Sequence, residues 1–102
     1  MILKYRHTGI VISDMQTSLY FYCNLLGFKK ILERYESSDY FCKVNGFKAE
    51  ALTVKIGIGD GRALELIQYT KPKSKEKVGL DHTIIGKIHQ CYLVDDIQEI
   101  YS

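Results

Sequence analysis

The sequence has little of what marks several large classes of protein. It contains one proline, 8 glycines and three cysteines without a CxxC motif, which argues against a fibrous chain, a low-complexity chain and a disulfide framework. No apolar run approaches the roughly 20 residues of a membrane-spanning helix. The opening MILKYRH lacks the apolar stretch and cleavage site of a signal peptide. We therefore expect a cytoplasmic protein with reduced thiols.

The charge of the chain is nearly balanced. It carries 14 basic and 12 acidic residues, a net charge of +2 over 102 residues. This balance predicts neither nucleic-acid binding nor attachment to a membrane surface. With 46% hydrophobic and 25% charged residues, the composition is that of one globular domain.

The first quarter of the chain has the clearest local pattern. Residues 5–12 alternate as a half-buried strand does, and His7 lies in the middle of that strand. Ser13 or Asp14 then suits an N-cap, and apolar residues recur at helical spacing over 15–26. Gly27 suits the left-handed position just past the end of that helix.

The next segment reads as a series of strands. Strands are predicted at 28–36, at 40–44 (short), at 47–58 and at 62–69, with turns at 36–39 and 57–61. Asn45-Gly46 is interpreted as a tight turn, because both residues tolerate positive φ. The order is therefore a strand, a helix and about three antiparallel strands.

The end of the chain repeats its beginning. After a polar connector, residues 88–94 are predicted to form a strand, and Asp95-Asp96 to begin a helix. HTGIVISDMQ aligns without a gap on HQCYLVDDIQ, with His7 on His89. In each copy a histidine precedes apolar residues, an acidic cap and a first helical turn. This indicates a duplicated strand–helix opening.

Three polar residues lie on predicted strands among apolar neighbours. Glu65 is flanked by Leu64 and Leu66, and a buried carboxylate needs a cation, hydrogen bonds or a metal. Alone, it could face water, and either His7 or His89 could be an ordinary core residue. Together, two imidazoles and a carboxylate suit a divalent metal such as zinc, nickel, iron, manganese or cobalt.

Several motifs resemble the vicinal oxygen chelate superfamily, and glyoxalase I in particular. The opening histidine is followed by an aspartate cap and by the pattern SxxFYxxxLGF, matched by Ser18, Phe21-Tyr22 and Leu26-Gly27-Phe28. The resemblance implies an α+β fold with a curved mixed sheet. Residues 1–70 would form a complete βαβββ module, 71–86 a connector and 87–102 the start of a second module, within a single domain.

The resemblance also implies the metal ligands. His7, Glu65 and His89 match the first three ligands of the family, and Glu65 is also the candidate catalytic residue. Asp81-His82 resembles the usual lead-in to the third ligand, but only His89 has the acidic cap at the expected distance. The fourth ligand of the family is a glutamate on the last strand of its second module, and it has no counterpart here. We therefore expect a fragment, a truncated gene or a sheet that another chain completes.

The implied activity is that of a glyoxalase-like lyase or isomerase. A divalent metal would chelate a small-molecule substrate while a carboxylate moves a proton beside its carbonyl, and a homodimer is the expected assembly. One alternative is a non-catalytic module that sequesters ligands, as bleomycin-resistance proteins do. An extradiol dioxygenase is a second, disfavoured by a glutamate as second ligand. The third is a domain whose histidines are structural.

Overall fold

The fold is a four-stranded curved mixed sheet with few helices. A computed structural model describes residues 1–73, 83, 85, 88–96 and 98. The strands lie in the order β1-β4-β3-β2, with β1 parallel to β4 and the other pairs antiparallel. Their bounds are His7–Val11 (β1), Lys29–Glu36 (β2), Glu50–Gly57 (β3) and Ala63–Lys71 (β4). This confirms the predicted α+β class and curved mixed sheet.

The first helix begins and ends as the sequence predicts. Helix α1 spans Met15–Leu19 and continues as a π-helical turn over Tyr20–Leu25. At its start, Asp14 accepts a hydrogen bond from the Gln16 backbone N–H at 3.1 Å, which satisfies a donor that has no partner inside the helix. Past its end, Gly27 has a φ of +86°, a conformation that glycine adopts without steric cost.

The short strand predicted at 40–44 was wrong, because this segment is a helix. Helix α2 spans Asp39–Asn45. The Ser38 hydroxyl accepts a hydrogen bond from the Phe41 backbone N–H at 3.1 Å, so the presumed turn at 36–39 contains an N-cap. Gly46, with a φ of +77°, ends the helix in the left-handed conformation. The Asn-Gly pair therefore marks a helix C-cap and not a tight turn between strands.

One face of the sheet is covered by the first helix. The buried cluster consists of Met15 from α1 and four side chains from β3 and β4: Val54, Ile56, Leu64 and Leu66. Leu19, Tyr22 and Cys23 pack against this cluster from the helical segment. We call this side of the sheet the covered face and the other side the open face.

The predicted strand at 88–94 was also wrong for the structure described here, where residues 88–94 have no regular secondary structure. A strand requires a neighbour that pairs with its backbone, and no strand of the described sheet pairs with this segment. Asp96 accepts a hydrogen bond from the Gln98 backbone N–H at 3.0 Å, as Asp14 does from Gln16, and the rest of the helix predicted from Asp95-Asp96 lies outside the described residues. Tyr92 packs edge-on against Phe28, with ring centroids 5.7 Å apart.

The connector predicted at 71–86 begins later than expected, because Lys71 still belongs to β4. Lys73 forms an isolated bridge with Thr70, and most of the other connector residues lie outside the described residues. No helix in the described part of the chain combines the length and the apolar character that crossing a bilayer requires. The three cysteines are all free thiols.

Candidate functional site

The open face of the sheet carries two of the three predicted metal ligands. His7 is on β1 and Glu65 is on the adjacent β4, where the parallel register pairs His7 with Ala63 and Gly9 with Glu65. Side chains of paired residues point to the same face of a sheet. His7 and Glu65 are therefore diagonal neighbours on the open face, although 58 positions of sequence separate them.

The two side chains meet at their polar ends. The His7 Nε2 atom lies 4.0 Å from the Glu65 Oε1 atom, and the two side chains are 36% and 21% exposed. Metal–nitrogen and metal–oxygen bonds of about 2.0 to 2.2 Å allow two donors of one ion to lie up to roughly 4.2 Å apart. An imidazole and a carboxylate 4.0 Å apart lie within that limit, and a small rotation of either side chain would bring them to the roughly 3.4 Å that separates two tetrahedral ligands.

Gly9 leaves room beside this pair. A Cβ atom at position 9 would lie 3.2 Å from the Ile67 Cδ1 atom, a tight contact. Gly9 is also the register partner of Glu65, so a large side chain here would stand next to the carboxylate. The absence of a side chain keeps the carboxylate accessible from the β1 side.

The third predicted ligand lies away from the pair. His89 is exposed within the irregular segment 88–96, and no three His, Cys, Asp or Glu side chains in the described part of the chain are gathered as a metal site. His82, the alternative third ligand, lies outside the described residues. The structure thus brings together His7 and Glu65 and leaves His89 apart from them.

The sequence interpretation missed two other residues of the open face. Lys55 on β3 is the register partner of Glu65 on β4, and its side chain is only partly exposed. Thr53, two residues away on the same face, is 7% exposed. The signal was present in the alternation of strand 47–58, in which these two residues have the same parity and flank the buried Val54.

Two shallow surface depressions lie near the start of α1 and do not include the pair. Their lining residues are Ser13, Gln68, Tyr69, Thr70 and Lys73 for one, and Val11, Ile12, Ser13, Asp14, Thr17 and Ser18 for the other. His7 and Glu65 line neither of these two depressions.

Comparisons with known proteins agree with this architecture. The family model of the Glyoxalase/Bleomycin resistance protein/Dioxygenase superfamily matches residues 4–102. A glyoxalase family protein from Bacillus cereus superposes with a TM-score of 0.79 at 15% identity, over 99% of this chain and 69% of that chain. The protein SMU.1112c superposes with a TM-score of 0.66 at 20% identity, over 99% and 74%. No curated protein sequence matches the chain.

Proposed function

The chain belongs to the Glyoxalase/Bleomycin resistance protein/Dioxygenase superfamily, and on that premise we propose that it is a metal-dependent lyase or isomerase related to lactoylglutathione lyase. The observation that supports this most is the 4.0 Å approach of the His7 imidazole to the Glu65 carboxylate. These two donors come from different strands and meet on the face that α1 leaves uncovered.

His7 and Glu65 would hold the metal ion, for which zinc, nickel, iron, manganese and cobalt are the candidates. When bound, a divalent metal stabilises the negative charge that develops on a carbonyl oxygen as the neighbouring carbon loses its proton. Glu65 would accept that proton at a carboxylate oxygen and return it to the adjacent carbon. His7 would donate its Nε2 lone pair to the same ion.

A metal ion held by His7 and Glu65 needs at least one further protein ligand. His89 would supply a third ligand, as the resemblance implies, which requires segment 88–96 to lie nearer to the pair than in the single chain. We also propose a cytoplasmic homodimer that acts on a small-molecule substrate. The His89→Ala variant tests the third ligand. It should weaken metal binding only if His89 reaches the His7–Glu65 pair.

Metal uptake by the purified full chain tests the proposal. We expect saturable binding of Zn²⁺ or Ni²⁺ in calorimetric titration, weakened by about tenfold or more in His7→Ala and in Glu65→Gln. Glu33→Gln is the matched control, because Glu33 is exposed and pairs in register with Val54 on the covered face. Failure of both ions to bind, or equal binding in all variants, would contradict a metal site at the pair.

A second candidate is a module of the same fold that binds a ligand without turnover. The observation in its favour is that the described residues gather two donors and no third. Formation of a lactoyl thioester from methylglyoxal and a thiol cofactor distinguishes the two. Turnover that Glu65→Gln abolishes supports the enzyme, whereas tight ligand binding without product supports the binding module.

A further inference from the structure

We propose that Lys55, Thr53 and Arg34 form an oxyanion subsite beside the His7–Glu65 pair, so that the substrate carries a carboxylate or a phosphate group. This inference rests on the proposed function, because it names the substrate class of the same site. Its evidence is separate, since it comes from strands β2 and β3 and not from the candidate metal ligands.

Lys55 is only partly exposed and forms no salt bridge within 4.0 Å in the described part of the chain. It is the register partner of Glu65, yet among the described residues only the His7 Nε2 atom, at 4.0 Å, lies within salt-bridge distance of the Glu65 carboxylate. An oxyanion placed beside Lys55 would give its ammonium group a charged hydrogen-bond partner.

The exposed lysines provide the contrast. Lys30 lies 3.0 Å from Glu33, and Lys71 lies 3.6 Å from Glu50. Such exposed pairs contribute little to stability, so these lysines could have remained unpaired at small cost. Lys55, which is less exposed than either of them, has no salt-bridge partner within 4.0 Å among the described residues.

Thr53 gives a second and independent observation. Its side chain is 7% exposed, and its hydroxyl makes no hydrogen bond with any other described residue. Thr53 precedes Lys55 by two positions on the same face of β3, about 7 Å along the strand. A buried hydroxyl normally has a partner, and an oxyanion held by Lys55 would supply an acceptor for it.

Arg34 completes the arrangement from the edge strand. It is the register partner of Thr53 on β2, so it belongs to the open face, and it is exposed. A guanidinium group offers several donors in a planar fork that matches carboxylate and phosphate. The open face thus carries two cationic residues and one hydroxyl on one side, and the His7–Glu65 pair on the other.

This order of groups defines how a substrate would lie. Its anionic end would contact Lys55, Thr53 and Arg34 on β2 and β3. Its carbonyl end would then point across β4 toward Glu65 and His7, where the proposed proton transfer takes place. The subsite therefore predicts small anionic carbonyl compounds over neutral ones.

Anion titration of the metal-free protein tests the subsite without testing the metal. With EDTA present, backbone amide signals are followed by NMR during titration with inorganic phosphate and, separately, with acetate. We expect saturable shifts at Thr53, Lys55 and Glu65 with at least one anion, and the tighter anion identifies the headgroup. Lys55→Ala should weaken binding by about tenfold, the typical contribution of a charge-assisted hydrogen bond.

Three further variants make the result decisive. Lys55→Arg should retain anion binding, and Lys30→Ala, on the covered face of β2, should bind as the natural sequence does. Should Lys55→Ala fail to fold, Arg34→Gln at an exposed position provides the same comparison. Absence of saturable shifts with both anions, or unchanged affinity in folded Lys55→Ala, would overturn the subsite. Anion binding by a protein that takes up no metal would overturn the proposed metal centre and leave the subsite standing.

Discussion

The two faces of the central strands differ sharply, although their residues alternate along the same backbone. On β3, Val54 and Ile56 point to the covered face and are 0% exposed, while Lys55 between them points to the open face. On β4, Leu66 is 0% exposed, and its neighbour Glu65 holds a carboxylate near His7. Successive side chains of a strand point to opposite faces. One residue therefore contributes to the buried core, while its neighbour contributes to the candidate site.

The largest effect on stability should come from the covered face. Leu66→Ala should lower the free energy of unfolding by about 2–5 kcal/mol, because it removes a fully buried side chain and leaves a cavity. Glu65→Gln, one residue away, should change it by less than about 1 kcal/mol, since the site is partly exposed and the shape is kept. Urea denaturation measures both. An equal decrease in the free energy of unfolding in both variants would contradict a core confined to the covered face.

A smaller effect is expected at the far end of the open face. Gly46 ends α2 with a φ of +77°, and the next residue, Phe47, packs on Tyr69 with ring centroids 5.8 Å apart. Gly46→Ala should cost about 1 kcal/mol, because a Cβ atom disfavours the left-handed conformation. The expected signal is a melting temperature lower by several degrees.

Lys43→Ala in the last turn of α2 is the matched control for this substitution. It keeps the backbone conformation and removes only a favourable charge at the helix C-terminus, so it should shift the melting temperature less. A larger shift in the control would show that the left-handed cap is not what holds this helix.

The smallest effect concerns two tyrosines, Tyr22 and Tyr92, at the edge of the covered face. Burial raises the pKa of Tyr22, and burial and then repulsion from Tyr22 raise the pKa of Tyr92. The unfolded chain loses these protons near pH 10, before the folded protein does. Stability should therefore be undiminished below pH 10 and fall as the pH rises from there through the folded pKa values.

Absorbance titration of the phenolates measures this order directly. Tyr92 should ionise above the ordinary tyrosine pKa of 10.0, and Tyr22→Phe should lower the pKa of Tyr92 by removing the charge beside it. Ionisation of Tyr92 at the ordinary tyrosine pKa would contradict the packing of Tyr92 on Phe28.

The sequence predicted best where local signals and the register of the sheet agree. The alternation of apolar and polar residues predicted β1 around His7 and β4 around Glu65. The Asp14 cap and Gly27 predicted the two ends of the first helical segment. The 4.0 Å approach of His7 to Glu65 followed from the family resemblance, since sequence spacing alone does not show which strands become neighbours.

The errors have two physical origins. Residues 40–44 are aromatic and β-branched enough to suggest a strand. The caps at Ser38 and Gly46 stabilise a helix instead, because they satisfy the backbone groups at its two ends. Residues 88–94 alternate as a strand does, yet alternation supplies no pairing partner. Lys55 was missed because a lysine on a strand is ordinary until the opposing residue is known, and only the register reveals Glu65.

The most direct test of the central claim maps a paramagnetic ion on the full chain. Mn²⁺ is added in substoichiometric amounts, and the loss of amide signals is followed by NMR. We expect the signals of His7, Gly9 and Glu65 to broaden first, and we expect Glu65→Gln to remove this effect while Glu33→Gln preserves it. Broadening centred elsewhere, for example on Asp95 and Asp96, or identical broadening in both variants, would contradict a metal site on the open face.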